Sequence, residues 1–433
     1  MKNLKNEKSH VLIALFPGQG QINPCLQFSK QLINIGIGVT LTMSLSAFSK
    51  IKKIPNVEGL SFAPFSDGYD GKFQLSSVDE FHLFYSSVKS RGSKFIFNLI
   101  QSNAERVPFF HMSFTLLSFF DVYYYRFTDY SDYFKNCDAK DKIIKLLGLP
   151  PVSPINFPSF VFDDVESSNW AVKSIKRQIE MLNCEENPRV LVNTFDALEF
   201  DTLKILKHMT MVGIGPSIPS VFLDVDTFRA DMIEISSKNH MDWLNSKDKG
   251  TIIYIAFGSY SKISSQLMEE IGHGLLKCGR PFLWMEDKLS CKDGLEKQGK
   301  IVSWCSQVQV LKHPYVGCFV THCGWNSNLE SIASEVPIVE CPLWNDQVSN
   351  AKLIQDIWKN GVRVNVSKSG VVERDEFNRY ITIAMGGSEE GEELRRNAKK
   401  WSDLAKEAMM ETGTSSMNLK AFANEILLGH NEY

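Results

Sequence analysis

Short apolar runs, each followed by a helical pattern, recur along the chain and set its expected architecture. The first, Val11-Leu12-Ile13-Ala14-Leu15-Phe16, runs into Pro17-Gly18-Gln19-Gly20 and then into an amphipathic helix expected from about Asn23 or Pro24 to Leu32. Val39 to Met43 supplies a second strand. Strand, glycine loop and helix in that order open a doubly wound α/β domain. Arg189 to Phe195 reads as another strand, with a helical segment at Leu198-Glu199. The stretch Gly213-Ile214-Gly215-Pro216-Ser217-Ile218-Pro219-Ser220 breaks all periodicity and opens a linker expected to reach about residue 238. The logic then repeats: a strand from Thr251 to Phe257, a tight turn at Gly258-Ser259, a helix from Ser264 to Cys278 and a strand at Pro281 to Trp284. Leu394, Ala398, Trp401, Leu404, Ala405 and Ala408 mark an amphipathic helix near the C-terminus. The expected fold is α/β, with two doubly wound Rossmann-like domains, 1–238 and 239–433, facing a cleft.

Composition adds exclusions. The chain has 433 residues, 43% hydrophobic and 22% charged, enough for two ordinary cores. A net charge of −3 gives no basic field for nucleic acid or an anionic membrane. Nine scattered cysteines with no framework spacing suit a reducing compartment. The first apolar run is too short for a signal peptide core, and no stretch approaches transmembrane length. The expectation is a cytoplasmic monomer with no nucleic-acid partner and no membrane insertion. Aromatic residues crowd 109–134, where they serve the core or line an apolar acceptor pocket.

The densest chemistry lies between Trp304 and Gln347. Gly317 to Thr321 and Pro337 to Cys341 read as buried strands, with a helix beginning near Asn326 or Ser327 between them. Free N–H groups and the positive end of that helix make an anion site, to which His322, Asn326 and Ser327 can add hydrogen bonds. Trp304 is placed to stack on a base, Glu330 to accept from ribose hydroxyls, and Asp346 with Gln347 to bind a sugar. Cys318, His322 and Cys323 do not complete a tetrahedral metal set. Either tryptophan taken alone would more often be core.

The joint spacing of Trp304, Gln307, His313, His322-Cys323-Gly324-Trp325-Asn326-Ser327, Glu330, Val336-Pro337 and Asp346-Gln347 resembles the signature box of plant UDP-dependent glycosyltransferases. The resemblance implies the GT-B fold and transfer of glucose, with inversion, from UDP-glucose to a small apolar acceptor. UDP-glucose is then a co-substrate, and no cofactor or metal is implied. It also implies that Trp304 and the main chain of Cys305 contact uracil, and that Gln307 and Glu330 hold ribose. Ser259, His322, Asn326 and Ser327 would hold phosphate, and Trp325, Asp346 and Gln347 the hexose. The last helix is expected to brace the first domain. Phe16-Pro17-Gly18-Gln19-Gly20, Phe65-Ser66-Asp67-Gly68-Tyr69-Asp70 and Val192 to Leu198 point to the branch that glucosylates anthocyanins at the 5-position and carboxylic acids such as crocetin.

Departures from the family pattern fall on the catalytic side and on one turn. Gln21 stands where the family carries its catalytic base histidine, and no other histidine occurs from residue 11 to 81. After Asn98-Leu99-Ile100, Ala104-Glu105-Arg106 passes directly to Val107-Pro108-Phe109, so about one βα unit, with the Asp that orients that histidine, is expected to be missing. Glu335 stands where the family has Gly, which costs on the order of 1 kcal/mol if the turn needs positive φ. The runner-up readings are a catalytically reduced relative that binds UDP-sugar without efficient turnover, and an NAD enzyme. The second is weakened because Asn23 replaces the third glycine of a dinucleotide fingerprint.

Overall fold

A computed structural model describes residues 9–102 apart from 17, 50, 52–55 and 71–77; residues 111–113, 124, 127, 143 and 145; residues 151–218 apart from 160, 163–169 and 208; and residues 238–427 apart from 259–262, 287–291 and 368–370. In the first half the strands are β1 (His10–Ala14), β2 (Gly38–Thr42), β3 (Leu60–Phe62), β4 (His111–Ser113), β5 (Arg189–Val192) and β6 (Thr210–Gly213). Its main helices are α1 (Gln19–Asn34), α2 (Val78–Ser102) and α3 (Trp170–Asn183). The second half carries β7 (Ile252–Ala256), β8 (Phe282–Met285), β9 (Lys300–Val302), β10 (Val316–Thr321), β11 (Ile338–Glu340) and β12 (Gly361–Arg363). Its helices include α4 (Ser265–Cys278), α5 (Gln307–Leu311), α6 (Trp325–Ala333), α7 (Gln347–Leu353), α8 (Arg374–Ala384), α9 (Glu389–Met409) and α10 (Thr414–Phe422).

The second half forms one six-stranded, all-parallel sheet in the order β12-β11-β10-β7-β8-β9. Its central strands are continuous apolar runs because both faces are covered. On one face Ile253, Ile255, Phe282, Trp284 and Val320 meet Ile271 and Leu275 of α4 and Phe377 and Ile381 of α8. Ile252, Tyr254, Leu283 and Phe319 pack on the other with Val310 and Leu311 of α5. Ser264 caps α4 by accepting the Leu267 N–H, and Gly279 ends it in the left-handed conformation.

The first half is built from two parallel three-stranded sheets, β1-β2-β3 and β4-β5-β6. A doubly wound sheet returns past β1 after β3, so the next strand belongs beside β1. Among the described residues no strand fills that position between β1 and β4. It is the position at which a βα unit is expected to be missing after α2. A shared core still links the two pieces, in which Ile22, Leu26 and Leu32 of α1 and Val39 and Leu41 of β2 meet Leu191 and Ile214. Leu419, Phe422 and Ala423 of the C-terminal segment join the same core. Asn418 Nδ2 donates to Asp196 Oδ1 at 3.1 Å and to the Gly213 carbonyl at 2.9 Å, the Ser415 hydroxyl to the Gly215 carbonyl, and Arg189 pairs with Glu425.

Among the boundaries that differ from the sequence expectation, two bear on the site. Helix α1 begins at Gln19, not near Asn23, because Gly18 serves as its N-cap and the expected glycine loop is its first turn. Pro24 therefore sits inside the helix, where it leaves the Gly20 carbonyl without its i+4 donor. Helix α6 starts at Trp325, one residue earlier than expected, with Gly324 as N-cap.

Candidate functional site

The site is assembled where β7, β9 and β10 end. The loop after β9 carries Trp304, half-buried, and Cys305, whose buried thiol lies 3.4 Å from the Tyr254 hydroxyl. Burial pushes that thiol up to about 11, which keeps it a neutral packing group. The next turn enters α5, and there Gln307 Nε2 donates both to Ser327 Oγ at 3.1 Å and to Glu330 Oε2 at 2.7 Å. One amide thus ties together the ribose and phosphate candidates of two helices.

His322 follows β10 and is almost fully buried, so desolvation lowers its pKa to about 4 and it is neutral at physiological pH. Its Nδ1 lies 3.2 Å from the Thr321 hydroxyl; donation from that hydroxyl leaves the ring proton on Nε2, facing the start of α6. The ring fits because its neighbours lack side chains. A Cβ on Gly258 would sit 2.8 Å from Nε2, and one on Gly324 2.6 Å. Between His322 and Gly324, Cys323 is left-handed at φ 65, and the amides of Asn328 and Asn350 both donate to its carbonyl, at 3.0 and 2.9 Å. That pair of bonds holds a strained turn and so aims the first N–H groups of α6. Neither asparagine was singled out in the sequence, although Asn350 lies one helical turn after Asp346.

Asp346 is the N-cap residue of α7, and burial raises its carboxyl to about 6 while the Asn350 amide, 3.0 Å from Oδ2, opposes the rise. Gln347 Oε1 accepts from the Leu343 and Trp344 N–H groups at 2.9 and 3.2 Å, closing the loop on itself.

The side chains of two expected site residues bond to the first half of the chain. The Trp325 indole is buried in the core against Trp358, with ring centroids 5.9 Å apart, and its N–H donates to the Asn193 carbonyl at 2.8 Å. Its indole thus faces the core, while its main-chain N–H lies on the first turn of α6. Asn326 donates from Nδ2 to the Gly20 carbonyl, the group that Pro24 leaves unpaired. Ser259 lies outside the described residues. Across the cleft, Gln21 stands in the first turn of α1, and its Oε1 accepts the Phe16 N–H at 2.9 Å. Among the described residues no group of three or more His, Cys, Asp or Glu could hold a metal ion, and no helix is long and apolar enough to cross a membrane.

Two α/β bodies built on parallel sheets, with the residues of the signature spacing gathered at the strand ends of the second, have the architecture of a GT-B glycosyltransferase. Comparison with known proteins gives the family. The model for "UDP-glucoronosyl and UDP-glucosyl transferase" matches residues 202–375. A tomato (Solanum lycopersicum) UDP-glycosyltransferase 75C1 is 44% identical over 96% of this chain and 98% of its own. The crocetin glucosyltransferase, chloroplastic, of Gardenia jasminoides is 43% identical over 98% of each chain. The anthocyanidin 3-O-glucoside 5-O-glucosyltransferase 1 of Perilla frutescens is 40% identical over 97% of this chain and 99% of its own. The crystal structure of Os79 from O. sativa in complex with UDP superposes with a TM-score of 0.84, at 27% identity, over 96% of this chain and 99% of that one. The chain belongs to the plant UDP-glycosyltransferase family and is an enzyme that uses a UDP-sugar as co-substrate. The tomato alignment is 463 positions long, more than the 433 residues available, so the relative carries residues that this chain lacks.

Proposed function

We propose that the enzyme transfers glucose from UDP-glucose, with inversion, to a small apolar acceptor, and that it favours carboxylic acids over phenols. The donor would lie along Trp304, the Cys305 main chain, Gln307 and Glu330, then Ser259, His322, Asn326 and Ser327, and finally Asp346 and Gln347. The observation that carries the acceptor preference is the Gln21 amide. An amide is not a base, and with its oxygen accepting the Phe16 N–H its NH2 group is left to donate to the acceptor.

A phenol with a pKa near 10 needs a base, and losing a positioned base typically costs ~10²–10⁴-fold. A carboxylic acid with a pKa near 4 arrives ionised. Its oxygen attacks the anomeric carbon, the bond to the diphosphate breaks, UDP leaves with the electron pair, and no proton needs to move. The Gln21 N–H groups orient that carboxylate, and the product is a glucose ester.

The test is to incubate the protein with UDP-glucose and matched phenols and carboxylic acids, following UDP release and the anomeric configuration of the product. Acids should react at least a hundredfold faster than phenols. Equal rates would overturn the account of Gln21. The incomplete first sheet favours a second reading, binding without efficient turnover, and UDP binding with neither acceptor class reacting would select it. A cytoplasmic monomer completes the proposal. Imaging of a fusion protein and size-exclusion chromatography test it, with a plastid location, of the kind named for the Gardenia relative, as the competing outcome.

A further inference from the structure

The loop assigned above to the hexose is held in place by the other half of the chain. Asn345, just before Asp346, is left-handed at φ 58, a conformation that asparagine tolerates but that needs support. Support comes from Ser159. The Asn345 N–H donates to Ser159 Oγ at 2.7 Å, and its carbonyl accepts from the Ser159 N–H at 3.3 Å. Asn156 adds a second grip: its carbonyl accepts from Ser349 Oγ in α7 at 2.9 Å, and its Oδ1 accepts from Arg363 Nη1 at 2.9 Å. The turn 153–159 of the first half therefore engages the segment 345–349 at both ends. Bonds within that segment, from Leu343 and Trp344 to Gln347 and from Asn350 to Asp346, set the shape of the loop. Those from Ser159 and Asn156 set where it lies relative to the acceptor side.

We propose that Ser159 and Asn156 are positioning residues for the donor sugar, holding Asp346 and Gln347 against the hexose from across the cleft. The inference rests on the reading that Asp346 and Gln347 bind that sugar. It implies that discrimination among UDP-sugars depends on the acceptor half, whereas affinity for UDP itself does not. Calorimetry with the full chain separates the two quantities. A Ser159→Ala, Ser349→Ala double variant, which removes the hydroxyl from the Asn345–Ser159 and Ser349–Asn156 bonds, should bind UDP within twofold of wild type but lose roughly three- to tenfold in affinity for UDP-glucose, the size expected for one or two neutral hydrogen bonds. Its preference for UDP-glucose over UDP-galactose should narrow by a similar factor. Ser159→Thr, which keeps the hydroxyl, should restore both.

Parallel weakening of UDP and UDP-glucose in the double variant would overturn the proposal in favour of a merely structural role. So would unchanged UDP-glucose binding while Asp346→Ala loses it. If Asp346→Ala also leaves UDP-glucose binding intact, the sugar site itself is misassigned and the proposal falls with it.

Discussion

The two halves begin with equivalent strands in very different surroundings. All five residues of β7 are buried, whereas in β1 His10 and Ala14 are exposed and Val11, Leu12 and Ile13 only half-buried. Both sequences are β-formers, HVLIA and IIYIA, so propensity does not separate them. What differs is neighbours. β7 lies between β10 and β8, while β1 pairs with β2 alone among the described strands. The second half thus rests on a continuous parallel sheet, whereas among the described residues the first half has no strand between β1 and β4.

The largest expected effect isolates the donor function in the second half. Removing the base stack and the ribose acceptor together, Trp304→Ala with Glu330→Ala, should weaken UDP by ~10²–10⁴-fold, given ~1–3 kcal/mol for a stacked base and a similar cost for each buried hydroxyl left unpaired. Ile13→Ala should leave UDP affinity within twofold; a matching loss in calorimetry would show that the halves are not independent. Next comes core packing: Ile255→Ala in the fully buried strand should cost ~2–5 kcal/mol, and Ile13→Ala less than ~2 because its site is already open to water. Denaturant titrations compare them, and equal losses would mean that the first sheet is as tightly enclosed as the second. Native-state hydrogen exchange on the wild type sharpens the same point, since protection should disappear sooner in residues 10–200 than in 250–350.

Acid should soften the halves at different pH. His322 has a folded pKa of about 4 against 6.5 when free, so the unfolded chain takes up the proton first. The second half then loses stability as pH falls from 6.5 to about 4, by at most ~3 kcal/mol. Asp346 opposes this: with its pKa raised to about 6, the folded state binds the proton first, and its burial penalty is relieved below that pH. His322→Gln removes only the first effect, so thermal melts at pH 7, 5.5 and 4.5 should show the variant gaining on wild type as the acid increases. In the first half, burial pushes Asp67 up, but hydrogen bonds from Ser46, Asp70 and Tyr69 more than offset this and hold its carboxyl below the usual range. Its contribution is therefore lost only below about pH 4. The smallest effect concerns Glu335, left-handed at φ 61. Glu335→Gly should stabilise by about 0.5–1 kcal/mol, and a lower melting temperature would show that this backbone is unstrained.

The candidate site and the family were legible in one long window, because the spacing from Trp304 to Gln347 restricts the geometry far more than any single residue does. Gln307 and Glu330 could be placed from that window and are joined in the structure. The place of the Trp325 ring was not legible, because an aromatic inside a polar motif can face either a ligand or the core, and this one packs in the core between the halves. The start of α1 was misread for a different reason. Pro24 favours a first helical turn, and only a contact more than 300 residues away shows how it is accommodated in the interior. Ser159 and Asn156 carried no local signal, since their partners at 345, 349 and 363 are brought to them by the fold alone.

That Pro24 contact also bears on how the halves are joined. The Gly20 carbonyl cannot be satisfied within its own helix, and the group that satisfies it, the Asn326 amide, belongs to the opposite side of the cleft. A proline in the first helix therefore couples that helix to the seam between the halves, since any separation of the two would have to exchange this bond for one to water.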